Sequence, residues 1–94
     1  MRERPVKTKE FIAVLRELGF EPKRTNGSHE QWEHAFFNGQ RRNVTVDDHH
    51  SPFTKWLLKS MLKQAGLKKK EFFQCLEKIS HCEVLRRKYD PEFA

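Results

Sequence analysis

No run of apolar residues in this sequence approaches the length of a membrane span, which excludes a helical membrane protein. The opening residues, Met1-Arg2-Glu3-Arg4-Pro5, lack the apolar stretch that follows the charges of a secretory signal, so a cytoplasmic location is expected. Cysteine is scarce: Cys75 and Cys82 are the only two. Seven residues apart in what reads as one helix, they are expected about 10 Å from each other along its axis, too far for a disulfide. Two small buried hydrophobes in a reducing compartment are the expectation. His81 sits beside them, but no spacing resembles a zinc site, so no metal is expected. A glycine-rich phosphate loop is missing, and so is any serine–histidine–acid arrangement legible from spacing. The carboxylates are mostly single and next to lysines, which argues against a two-metal nuclease. No cofactor is expected, and there is no internal repeat or low-complexity segment.

What is present is charge and one modest core. The chain has 94 residues, enough for a single domain over 1–94; 36% are hydrophobic and 34% charged, the balance of a globular protein rather than a disordered one. The net charge of +6 attracts polyanions, with nucleic acid the usual one; an acidic protein or an anionic surface would also suit it.

The periodicities divide the chain into a helix, three strands and two more helices. Thr8 can cap a first helix over 8–18, where Phe11, Ile12, Leu15 and Leu18 recur at helical spacing and Gly19 follows as a stop. Asn26-Gly27 and Asn38-Gly39 are hairpin-turn signals, giving an antiparallel meander over 20–25, 29–36 and 42–47. Pro22 lacks a backbone donor, which makes the first strand an edge. Alternation along the middle strand sends Trp32, His34 and Phe36 to the core side with Val44 and Val46; His29, Gln31, Glu33 and Ala35 face the open side. His34 is therefore expected to be buried and hydrogen-bonded. Ser51-Pro52 reads as the cap and first position of a second helix, with Phe53, Leu57, Leu58, Met61, Leu62 and Ala65 as its buried stripe and Gly66 as its end. A third helix is predicted over 69–88, with Phe72, Leu76, Ile79 and Cys82 inward, closed by Asp90-Pro91. The fold class is α+β, an α-β-β-β-α two-layer sandwich with an extra C-terminal helix, the layout of double-stranded-RNA-binding domains.

Two groups of residues could carry chemistry. Lys55, Lys59 and Lys63 recur every four positions and form one stripe about 12 Å long, with Lys23, Arg24 and Arg41-Arg42 near the hairpins. The stripe is either an ordinary solvated helix face or a phosphate-backbone contact of weak sequence preference. Of the five histidines, His29 follows a tight turn on the polar side of the sheet. An imidazole titrates near neutrality. RNA brings its own nucleophile in the 2′-hydroxyl, so one well-placed base can start cleavage.

Gly27-Ser28-His29 after an Asn-Gly turn, Leu18-Gly19-Phe20 upstream, Val44-Thr45-Val46 downstream and then the run from Leu58 through Lys59-Ser60-Met61-Leu62-Lys63-Gln64-Ala65-Gly66 to Leu67 resemble the HicA toxin family, in that order and spacing. The resemblance covers about residues 8–73. It implies a ribonuclease toxin that cuts mRNA and is silenced by a HicB-like antitoxin. It carries the catalytic role to His29, with Gly27 and Ser28 shaping the site, and a possible second histidine to His49 or His50. On that reading Lys23, Arg24, Lys55, Lys59 and Lys63 bind RNA. The chain departs from the family in Asp47-Asp48, where a proline is common, and in the length of its C-terminal helix. The acidic pair could contact an antitoxin, orient a histidine or bind nothing. Two rival functions keep the same fold: a non-catalytic RNA-binding module, and an antitoxin-binding subunit without activity.

Overall fold

The computed structural model describes residues 4–93. Its elements run α1 (Thr8–Glu17), β1 (Glu21–Asn26), β2 (His29–Phe37), β3 (Gln40–Asp47), one 3-10 turn (Asp48–His50), α2 (Lys55–Ala65), α3 (Lys69–Glu77) and α4 (His81–Tyr89). The class is α+β: an antiparallel sheet in the order β1-β2-β3, in the expected α-β-β-β-α layout, with two C-terminal helices rather than one. No described helix is long and apolar enough to cross a membrane.

The turns follow from backbone chemistry. Phe37 pairs with Gln40, so Asn38 (φ 49°) and Gly39 (φ 91°) form a two-residue loop with both residues at positive φ, as the Asn-Gly signal requires. The first hairpin is displaced by one residue. Asn26 pairs with His29, so Gly27-Ser28 is the loop and Gly27 alone takes positive φ, +63°. β1 is an edge strand, as Pro22 demands, and its pairing is irregular between Pro22 and Arg24.

Several boundaries correct the sequence reading. Thr8 does not cap α1. Lys7 occupies the cap, where the Glu10 carboxylate accepts its backbone N–H at 3.0 Å, and Thr8 is the first helical residue. Ser51 does not cap α2 and Pro52 is not its first position. Ser51 Oγ accepts the Thr8 N–H at 3.1 Å, the Phe53 N–H goes to the Val6 carbonyl, and this extended segment ties β3 to the N-terminus. Thr54 caps α2 instead, accepting the Leu57 N–H. Phe36 does not join Trp32 and His34 in the core. The β2–β3 pairing slips between His34 and Phe37, which reverses the alternation; Phe36 is exposed and Phe37 is buried in its place.

The expected helix over 69–88 is broken at Lys78, whose backbone is extended. A straight helix of that length would run about 30 Å, nearly the full length of the molecule. Folding back lets α3 and α4 both pack on α1. Ile79, expected inward, is exposed in the break. Cys75 and Cys82, expected about 10 Å apart, are neighbours; the Cys82 thiol pushes Cys75 up and the Cys75 thiol draws Cys82 down. Both are buried free thiols.

The core is one hydrophobic cluster drawn from the four helices, β2, β3 and the segments between them, with nothing from the exposed β1. Phe11 stacks near Phe72 and Phe53, with ring centroids 5.3 and 5.8 Å away, joining α1 to α3 and to the segment before α2. Phe20, Phe37 and Tyr89 join the sheet to α4. Tyr89 donates its hydroxyl to Glu71, and that bond pushes its pKa up to about 12.

Gly66 closes α2 in the left-handed conformation (φ 79°), with the Leu67 N–H returned to the Leu62 carbonyl and its own to Lys63. A Cβ there would lie 2.7 Å from the Arg42 guanidinium, which is held by the Phe37 and Asn38 carbonyls. Gly66→Ala is expected to lower unfolding free energy by about 1–2 kcal/mol, the order of the left-handed penalty for a residue with a Cβ. A urea titration checks it, and an unchanged midpoint would contradict this reading of the cap.

Candidate active site

β2 begins at His29, and its register fixes the neighbours. His29 stands opposite Asn26 of β1 and Asp47 of β3. Cross-strand partners share a face, so His29, Asn26 and Asp47 form one row on the side away from Trp32. The next row on that face is Arg24, Gln31 and Thr45. The Thr45 hydroxyl bonds to Gln31 at 3.2 Å. Buried Trp32, Val44 and Val46 point the other way, so the open side of the sheet carries His29, as the alternation predicts.

The His29 ring is half-exposed, at 53%, and its Nε2 lies 3.2 Å from Asp47 Oδ2. Asp47 is mostly covered and held from its other oxygen. Oδ1 accepts Ser28 Oγ at 3.3 Å and the His49 N–H at 3.0 Å. The Asp48 N–H also bonds to the Ser28 carbonyl, which fastens the hairpin tip to the end of β3. A carboxylate at Nε2 favours the tautomer with its proton there. Nδ1 is then the ring nitrogen with a lone pair. It has no hydrogen-bond partner among the described residues. The arrangement is a half-exposed imidazole with a carboxylate beside one nitrogen and no partner among the described residues at the other. A Cβ on Gly27 would meet nothing within 4 Å, so the space above the tip is open.

The structure gathers some of the expected residues and separates others. His29, Gly27, Ser28 and Arg24 surround one face of the hairpin. His49 takes part through its backbone N–H, and its side chain is exposed. The His50 side chain lies outside the described residues. Lys23 is paired with Glu21 at 3.2 Å and lines a separate cleft with Glu33 and His34. The lysine stripe is exposed along α2, but Lys59 and Lys63 border a cleft with Leu62, Leu67 and Lys69 on the helical side. Lys55 borders another with Arg4 and Phe73. Neither cleft includes His29. Among the described residues, no three His, Cys, Asp or Glu side chains group closely enough to hold a metal ion.

Asp47 is the site residue that sequence reasoning left undecided. Its position three residues before His50 says little, but the pairing of His29 with Asp47 makes it the direct neighbour. His34 is where it was expected, buried and bonded through Nε2 to Asp90 at 3.1 Å.

Comparison with family models matches residues 8–67 to the HicA toxin of bacterial toxin-antitoxin systems. Comparison with curated proteins and with solved structures returns no match. The matched span covers more than half of the chain, from the first residue of α1 past the Gly66 cap, and takes in the whole His29 hairpin; α3 and α4 lie outside it. The chain therefore belongs to the HicA toxin family, the toxin side of a bacterial toxin-antitoxin pair.

Proposed function

We propose that this toxin is an endoribonuclease that cuts mRNA with His29 as general base and needs no metal. The single observation that carries the proposal is the His29–Asp47 contact at 3.2 Å on an open face, which leaves Nδ1 without a partner among the described residues. In the proposed step Nδ1 takes the proton of a 2′-hydroxyl. The 2′-oxygen attacks the adjacent phosphorus, the bond to the 5′-oxygen breaks, and the departing oxygen takes a proton from water. The products are a 2′,3′-cyclic phosphate and a 5′-hydroxyl end. Asp47 acts as a positioning residue, fixing the ring and stabilising the imidazolium that forms. Arg24, one row away on the same face and about 7 Å along the strand by strand geometry, offers positive charge to the phosphate. Gly27 leaves room for the backbone to approach. A HicB-like antitoxin is the expected partner that silences it.

The nucleophile in this mechanism belongs to the substrate. A single-stranded RNA with one 2′-deoxy residue should therefore resist cleavage at that linkage alone, in buffer with chelator, while neighbouring linkages are cut. Efficient cutting at the deoxy position would sink the mechanism. Intact RNA throughout, with tight binding, would favour a non-catalytic RNA-binding module.

A further inference from the structure

The strongest unabsorbed feature is the outer face of α2. From Ser51 through Lys70 the sequence contains six lysines and no Asp or Glu. Several cations elsewhere are paired: Arg4 with Glu10, Arg41 with Glu33, Arg86 with Asp90 and Arg87 with Glu83. No ion pair among the described residues engages Lys55, Lys59 or Lys63. On the same helix face as Lys59 and Lys63 stands Trp56, 77% exposed. At 100° per residue, Lys63 returns to within about 20° of Trp56 one stripe along, about 10 Å away on the axis, and Lys59 lies between them. Beside the stripe runs the cleft of about 500 Å³ between Lys59, Lys63 and Lys69, floored by Leu62 and Leu67.

The Trp56 indole makes no hydrogen bond or ring contact among the described residues. Burying it would contribute favourable free energy, and α2 already has its inward stripe in Leu58, Met61, Leu62 and Ala65. A flat apolar ring among unpaired ammonium groups suits a ligand that alternates flat apolar faces with anionic groups. Single-stranded nucleic acid has that chemistry, and sequence-tolerant binders join aromatic stacking to a basic groove.

We propose that Trp56, Lys59 and Lys63 form a second RNA-binding surface. A base stacks on the indole and the flanking phosphates meet the two lysines. The surface rests on the ribonuclease reading for the identity of its ligand, and the clefts beside it do not include His29. Lys55 was grouped with the stripe by its spacing, but it borders a different cleft and lies off the Trp56 line.

The test uses the full chain and a single-stranded 2′-O-methyl RNA dodecamer, which cannot be cleaved through its 2′-oxygen. Trp32 is buried, so quenching of exposed indole emission reports on Trp56. Titration should quench that emission. Trp56→Ala should raise Kd about tenfold to a hundredfold, as one lost stacked base does, and Trp56→Phe should recover part of it. Lys59→Gln with Lys63→Gln should reduce the slope of log K against log salt by about 1.4, at about 0.7 per phosphate on a single strand. A Kd for Trp56→Ala within twofold of wild type would overturn the proposal. So would an unchanged RNA affinity joined to loss of an antitoxin complex, which assigns the face to a protein. Absence of cleavage with Trp56-dependent binding intact would remove the ribonuclease reading and leave this surface standing.

Discussion

His29→Ala is expected to fold like the wild type and to lose RNA cleavage by about 10²–10⁴-fold, the usual contribution of a general base. The effect on stability should be small. His29 starts its strand and is half-exposed, and its polar contact is with Asp47, which Ser28 and the His49 N–H still hold. Exposed pairs of this kind contribute at most about 1 kcal/mol. The measurement is cleavage of a labelled single-stranded RNA by both proteins in chelator, beside matched denaturation curves. The expected outcome is cutting by the wild type alone, with superimposable melts. Equal cutting by both would point to another site or to contamination. A variant that lost activity and stability together would leave His29 with a structural role, and Nδ1 would no longer be the candidate base.

How much of this site the sequence makes legible depends on the range of the forces involved. Gly27-Ser28-His29 and the Asn38-Gly39 turn are readable because positive φ is a property of one or two residues. His34 is readable because alternation along β2 holds from His29 to His34. The alternation fails at Phe36, where a slip against β3 exposes it, and a slip is a property of two strands. The partnership of His29 with Asp47 fails to show for the same reason: the residues are far apart in sequence and meet only through register. The α3–α4 corner is hidden more deeply. Between Glu77 and His81 there is no Gly or Pro to mark a break, and the turn is imposed by packing on α1. The lysine stripe was legible as a stripe. Its separation from the His29 face depends on where α2 docks, and periodicity within α2 does not encode that.

The largest loss of stability is expected from Asp90→Ala, because that carboxylate anchors the helices lying beyond the family match. Asp90 is 3% exposed. Its Oδ2 accepts from His34 Nε2 at 3.1 Å and from Arg86 Nε at 3.2 Å, and its Oδ1 accepts the Glu92 N–H at 3.1 Å. The His34 tautomer is fixed from the other side, since Nδ1 accepts the Phe36 N–H. The proton therefore sits on Nε2 and points at Asp90. Removing the carboxylate strands a buried imidazole N–H and the inward side of a guanidinium. Breaking a buried ionic contact from one side costs about 3–5 kcal/mol. Arg86 keeps partial access to water, so the lower end of that range, about 3 kcal/mol, is expected here. Asp90→Asn can keep an acceptor oxygen where His34 and Arg86 converge, while losing the charge and the acceptor for the Glu92 N–H, and should recover part of the loss. Against a domain stability of about 5–15 kcal/mol, such a deficit is plain in a urea titration. The exposed Glu83–Arg87 pair on the same helix supplies the contrast, with at most about 0.5 kcal/mol expected for its removal. A loss below about 1 kcal/mol for Asp90→Ala would mean that α4 is held by Tyr89, Cys82 and Leu85 alone. A normal loss with a reduced m-value would mean that α4 detaches before the rest unfolds. The clasp would then bind the added helices to a toxin core able to stand without them.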